Sequence, residues 1–242
     1  MVQVNAYKRP ASLEEALVAL EDRRSVVMGG GTRLRSANGT EPVLVVDLQA
    51  AGLGGVRSSG GGRVVIGATT TLEDIAASPE LPEVVREAAR REQPSSLRAL
   101  STLGGCVATA DFESELLATL LAYTATVTLV GQSGAVVTPL ATFLAEPGQR
   151  GGRIIVAVEI ETAGAGVVAR VGRTSADRPI VAAVARRDSN GALLLAFSGV
   201  ASVPVLTDDL ETLAPPSDFR GSSEYRKAMA KSLDARVREA LR

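Results

Sequence analysis

The feature that most constrains this chain is a pair of glycine-rich turns. The first reads Val27-Met28-Gly29-Gly30-Gly31-Thr32-Arg33-Leu34, and the second Leu97-Arg98-Ala99-Leu100-Ser101-Thr102-Leu103-Gly104-Gly105-Cys106-Val107-Ala108. Each follows a patterned element and offers several backbone N–H groups with no side chain in the way. Glycine permits positive φ and close approach of another group to the backbone. Successive N–H groups in such a turn form a concavity that binds anions. Two such turns suit a pyrophosphate gripped from both sides. A Gly-Gly pair is also an ordinary way to turn a chain, so the surrounding residues decide.

Those surroundings alternate strand and helix. Residues 4–8 read as extended. Leu13, Ala16, Leu17 and Leu20 then fall at helical spacing behind Ser12, which forms a capping-box pattern with Glu15. Strands are expected at 25–28 and 42–48, giving a small α/β unit that ends near Gly52. After the turn cluster Ser58-Ser59-Gly60-Gly61-Gly62, residues 63–68 read as a strand, and 71–77 and 82–91 as helices. A helix over 114–122 and strands over 124–130 and 135–138 follow the second glycine turn. The run Pro147-Gly148-Gln149-Arg150-Gly151-Gly152 is the expected linker. Beyond it, 153–161, 167–173 and 192–199 read as antiparallel strands, 180–186 fits either helix or strand, and 222–242 reads as a final helix.

Composition narrows the chemistry. The 242 residues include no His, no Trp and a single Cys, with 26 basic and 27 acidic side chains. Without histidine there is no Ser-His-Asp triad and no imidazole acid/base pair. One thiol cannot make an internal disulfide, a structural zinc site or an iron–sulfur cluster. The near-neutral charge and the lack of a basic stripe with aromatics argue against nucleic acid as a partner. No apolar run is long enough for a transmembrane segment and no leader pattern opens the chain, so a cytoplasmic location is expected. Any redox chemistry would come from a bound cofactor or a partner chain.

Taken in order, these segments resemble the flavin-binding medium subunit of the molybdenum hydroxylases, the family of aerobic carbon monoxide dehydrogenase and xanthine dehydrogenase. The likeness is carried by Tyr7-Lys8-Arg9-Pro10-Ala11-Ser12-Leu13, Gly30-Gly31-Thr32-Arg33-Leu34, Val45-Val46-Asp47-Leu48, Val65-Ile66-Gly67-Ala68-Thr69-Thr70, Ser101-Thr102-Leu103-Gly104-Gly105, Ser114-Glu115-Leu116 and Ser223-Glu224-Tyr225-Arg226. The resemblance implies an α+β chain: a two-subdomain FAD-binding fold of the PCMH type over 1–147, divided into 1–52 and 53–147. A C-terminal α+β domain over 151–242 would resemble the C-terminal domain of the carbon monoxide dehydrogenase flavoprotein. The two turns would face each other across a cleft. FAD would be held by Gly29, Gly30, Gly31, Thr32, Arg33 and Leu34 from the first turn and by Ser101, Thr102, Leu103, Gly104, Gly105 and Cys106 from the second, with Ser114 and Glu115 nearby.

The resemblance also implies a hetero-oligomer. An iron–sulfur small subunit would deliver electrons to the flavin, and a molybdenum-cofactor large subunit would oxidise the substrate. The chain departs from the family pattern at Arg33, Ala99, Cys106, Glu115 and Ala118. Those departures define the alternative reading, a flavin-free relative that keeps the fold as an assembly or docking module. Arg33 either adds positive charge near the pyrophosphate or points to solvent. Cys106 reads as a small buried hydrophobe. Glu115 accepts a ribose hydroxyl bond or balances a helix N-terminus. Arg173 and Asp177 read as an exposed ion pair.

Overall fold

The computed structural model describes residues 3–34, 42–146, 151–174 and 177–242. The first unit is a parallel sheet of β1 (Val4–Lys8), β2 (Ser25–Met28) and β3 (Val43–Asp47), in the order β1-β3-β2, with α1 (Leu13–Ala19) against it. Ser12 Oγ accepts the Glu15 N–H at 3.2 Å and fixes the start of α1. The Glu15 carboxylate reaches back to the Ala11 N–H at 2.8 Å, one residue before the position a capping box uses. Every residue of the central strand β3 is buried, because the sheet covers it on both edges and α1 covers a face.

The second unit holds β4 (Val56–Gly60), β5 (Arg63–Gly67), α2 (Leu72–Ala77), α3 (Glu83–Glu92), α4 (Ser95–Arg98), α5 (Leu103–Thr109), α6 (Glu115–Ala122), β6 (Thr126–Gly131), β7 (Gly134–Pro139), α7 (Leu140–Ala145) and β8 (Arg153–Glu161). Its five-stranded antiparallel sheet runs β4-β5-β8-β6-β7. Strand β8 therefore lies between β5 and β6, whereas the pattern expected it to open the C-terminal domain. Its alternating residues Ile154, Val158 and Ile160 are buried, and a strand that buries one row this way completes the sheet it enters. Of the expected linker, residues 147–150 lie outside the described residues. The cluster at 58–62 is the tip of the β4–β5 hairpin, not a simple connection, with Gly60, Gly61 and Gly62 all at positive φ.

All eight residues of α6 are buried. A helix buried along its whole length must be covered on every side, and here the third unit supplies part of the cover. That unit is an antiparallel sheet of β9 (Ala165–Val171), β10 (Val181–Arg187), β11 (Leu193–Ser198) and β12 (Val205–Leu206), with α8 (Ser223–Ala240). Val184 and Ala196 join the core around α6, while Val181, Ala183, Leu195 and Phe197 pack with Ala230, Leu233 and Val237 of α8. The ambiguous segment 180–186 is thus a central strand. Its period-two burial on both faces outweighs the helix propensity of its alanines.

Candidate functional site

The two glycine turns meet. Gly29 and Gly30 lie against Leu100 and Thr102 so closely that a methyl carbon on Gly30 would stand 2.5 Å from the Leu100 carbonyl carbon, and nearer still to its oxygen. Ser101 Oγ donates to Thr32 Oγ1 at 3.1 Å across the same junction. The glycines are required here by space, since only a residue without Cβ lets the loops touch. Gly31 is different: its φ of +72° is the left-handed region.

A cleft of about 300 Å³ opens on one side of this junction, lined by Gly29–Leu34 from the first unit and by Glu92, Gln93, Ser101, Thr102, Gly105, Cys106, Thr109 and Asp111 from the second. A second, more apolar cavity of about 210 Å³ adjoins it, lined by Leu48, Ala68, Leu129, Phe143 and Ile155, with Val27 bordering both. Gly29, Thr102, Gly105 and Ala108 border both. A ligand with one polar, anionic part and one apolar part fits such a pair of chambers.

The turns contribute unequally. The N–H groups of Gly29, Gly30, Gly31, Thr32 and Arg33 donate to no protein group among the described residues. In the second turn, by contrast, Leu103 N–H donates to Thr70 O at 3.0 Å, Gly104 N–H to Ala68 O at 2.8 Å and Cys106 N–H to Thr102 O at 3.0 Å. Gly105 N–H donates to Thr102 Oγ1 at 3.3 Å, the N-cap bond of α5. Among Ser101–Cys106 only the Thr102 N–H is left without a protein acceptor among the described residues. Most amides of this turn are therefore committed to the helix start of α5. Gly104 is a packing glycine: a Cβ there would come within 2.9 Å of Ala68. Leu103 is fully buried in the core and lines neither chamber.

Ser114 and Glu115 stand apart from the cleft. Ser114 caps α6 and donates to Glu92 Oε2 at 2.9 Å. Glu115, 1% exposed, lies 3.1 Å from Arg91 and 3.2 Å from Arg170. Burial raises its carboxyl above the ordinary range, against the pull of Arg170 and Arg91. With a guanidinium from each of the two units on it, Glu115 joins the third unit to the second. Cys106 is half-buried at the cleft wall, and burial pushes its thiol up from the ordinary range. The expected Arg173–Asp177 pair does not form among the described residues; Asp177 instead accepts the Thr174 N–H at 3.1 Å.

The sequence reading missed the acidic ridge that follows the second turn. Arg33 Nη1 bonds Asp111 Oδ2 at 2.7 Å, and Arg178 Nη1 bonds the same oxygen at 2.9 Å. Arg178 also reaches Glu92 at 3.5 Å. Glu113 is paired with Arg220 and, at 2.9 Å, with the fully buried Arg226. Burial works to raise the Asp111 carboxyl, but the bonds from Arg178 and Arg33 outweigh it and hold it well below the carboxylate range. Burial raises Glu92 above that range despite Arg178. The signal in the sequence was the alternation Asp111-Phe112-Glu113-Ser114-Glu115, whose partners lie far along the chain.

A two-loop cleft between α+β units, with a third unit latched beside it, has the form of a ligand-binding domain. The family model for the FAD binding domain in molybdopterin dehydrogenase matches residues 2–161, and the chain belongs to that family. The match ends with β8, where the second sheet ends. The glyceraldehyde dehydrogenase medium chain of Sulfolobus acidocaldarius is 28% identical over 94% of this chain and 95% of its own length. Among solved structures, a chain of the carbon monoxide dehydrogenase from Hydrogenophaga pseudoflava superposes with a TM-score of 0.89 at 22% identity, covering 100% of this chain and 98% of that one. A chain of quinoline 2-oxidoreductase from Pseudomonas putida 86 superposes with a TM-score of 0.86 at 23% identity over the same shares. No helix among the described residues is long and apolar enough to cross a membrane.

Proposed function

We propose that this chain is the flavoprotein medium subunit of a molybdenum-containing hydroxylase or dehydrogenase. It holds FAD in the cleft between its first two units, 1–52 and 53–161, and the third unit from about residue 165 closes beside it. The observation that carries this reading is that the amides of Gly29–Arg33 have no protein acceptor among the described residues, in a turn that lines a cleft shared with the second turn. Fixed donors of this kind bind an anion without the cost of ordering long side chains. The residues present fit the cofactor: amides and Arg33 for the diphosphate, and the apolar chamber by Leu48, Phe143 and Ile155 for a ring system.

Bound FAD supplies the redox chemistry; the chain's own residues bind it, orient it and shield it. With one Cys and no His, cluster and molybdenum ligands belong to other chains. The complex is accordingly a hetero-oligomer with an iron–sulfur small subunit that feeds the flavin and a molybdenum-cofactor large subunit that oxidises the substrate, and its setting is the cytoplasm. The amides committed in the second turn favour a second reading, the flavin-free docking module. Incubating the purified protein with FAD, removing the excess and recording the visible spectrum separates the two. A near-stoichiometric flavin spectrum is expected, and a folded but colourless protein leaves only the docking module.

A further inference from the structure

The Arg33–Asp111–Arg178 chain joins all three units at the edge of the cleft, and nothing in the family match explains it. Arg33 comes from the first turn, Asp111 from the connection between α5 and α6, and Arg178 from the loop before β10. Arg33 uses only Nη1 on Asp111; its Nε and Nη2 have no partner among the described residues, and the side chain lines the cleft. A guanidinium is a planar fork whose separate edges can serve two acceptors at once. Asp111 is in turn fixed twice over: Oδ2 accepts from Arg178, and Oδ1 accepts the Glu113 N–H at 3.1 Å. A carboxylate held that way, kept well below the usual carboxylate range by its arginines, orients the guanidinium it pairs with.

We propose that Asp111 is a positioning residue for diphosphate binding: it holds Arg33 so that the remaining donors of Arg33 meet the diphosphate, while Arg178 braces Asp111 from the third unit. The inference rests on the flavin-binding reading above. It gives the third unit a role in the affinity of a site that none of its described residues lines. An arginine already ordered loses less freedom when the anion arrives, so the carboxylate next to it raises affinity despite its own negative charge.

The test measures binding to the intact chain of FAD by flavin fluorescence, and of ADP and adenosine by calorimetry. Arg33→Gln is expected to weaken FAD and ADP by on the order of ten-fold or more, as the loss of a charge-assisted bond implies, and to leave adenosine unchanged. Asp111→Asn keeps the acceptor for the Glu113 N–H and is expected to weaken FAD several-fold, with no further loss in the Arg33→Gln/Asp111→Asn double variant. Arg33→Lys keeps the charge without the fork and restores only part of the affinity. Tighter or unchanged FAD binding in Asp111→Asn overturns the proposal, because Asp111 would then compete for Arg33 or ignore it. Losses that simply add in the double variant also overturn it. A wild-type chain that binds neither FAD nor ADP removes the flavin reading itself, whereas wild-type binding that Arg33→Gln leaves intact removes only the present inference.

Discussion

Gly30→Ala is the sharpest perturbation the structure offers, because one methyl group separates two explanations of a glycine. Gly30 does not need positive φ, so its requirement is the approach of Leu100. Carbon atoms in contact stand about 3.5 Å apart or more, while the added carbon would lie 2.5 Å from the Leu100 carbonyl carbon. The two turns must therefore part by about 1 Å or more, and the obstacle is backbone, which cannot rotate away. Overpacking of this kind costs about 1–3 kcal/mol. Parting the loops also breaks the Ser101–Thr32 bond, worth about 1 kcal/mol. The sum is about 3 kcal/mol, or roughly 6–12 °C in the melting temperature of a chain this size. Gly52→Ala is the internal control: Gly52 has φ +71° with nothing within 4 Å of a Cβ, so it carries only the left-handed penalty of about 1–2 kcal/mol. Thermal melts of the flavin-free proteins by circular dichroism provide the comparison, since bound ligand itself raises apparent stability. A Gly30→Ala melt equal to the wild type, or above that of Gly52→Ala, refutes the contact argument.

Three further outcomes follow from the same coordinates. The Glu92 carboxyl is raised by burial, so its contribution is fully present below the unfolded value and is lost as pH rises through the folded one. Asp111 is depressed, so its contribution is present above the unfolded value and is lost as pH falls through the folded one. The melting temperature should thus peak on the mildly acidic side, and Glu92→Gln should flatten the limb between there and neutrality in a pH series of melts. Arg226→Met, which takes a buried cation from Glu113, Asp218 and the Ile180 carbonyl, should cost about 3–5 kcal/mol in urea unfolding. Ser222→Ala removes the N-cap acceptor of α8 and should cost about 1 kcal/mol; a cost near zero would mean that packing alone starts that helix.

Much of this protein is determined locally and is therefore legible in the sequence. The caps at Ser12, Thr102, Ser114 and Ser222 act over three residues. The stripe of α1, the apolar run of β3 and the glycine turns themselves all follow from spacing and residue type. Family membership is equally a property of the linear order. What the tertiary structure alone decided are the features that depend on residues far apart in the chain. Strand β8 joined the second sheet because its backbone pairs with β5 and β6 there, and Val158 and Ile160 enter that unit's core. The amides of Leu103 and Gly104 in the second turn are taken because the carbonyls of Thr70 and Ala68 stand where they accept them. Glu115 became a docking carboxylate and Arg33 a cleft residue through partners 55 and 78 positions away in sequence, Arg170 and Asp111. Periodicity records which face of an element is buried; it does not record which distant charge that face will meet. At this cleft those distant charges decide which donors remain free to bind.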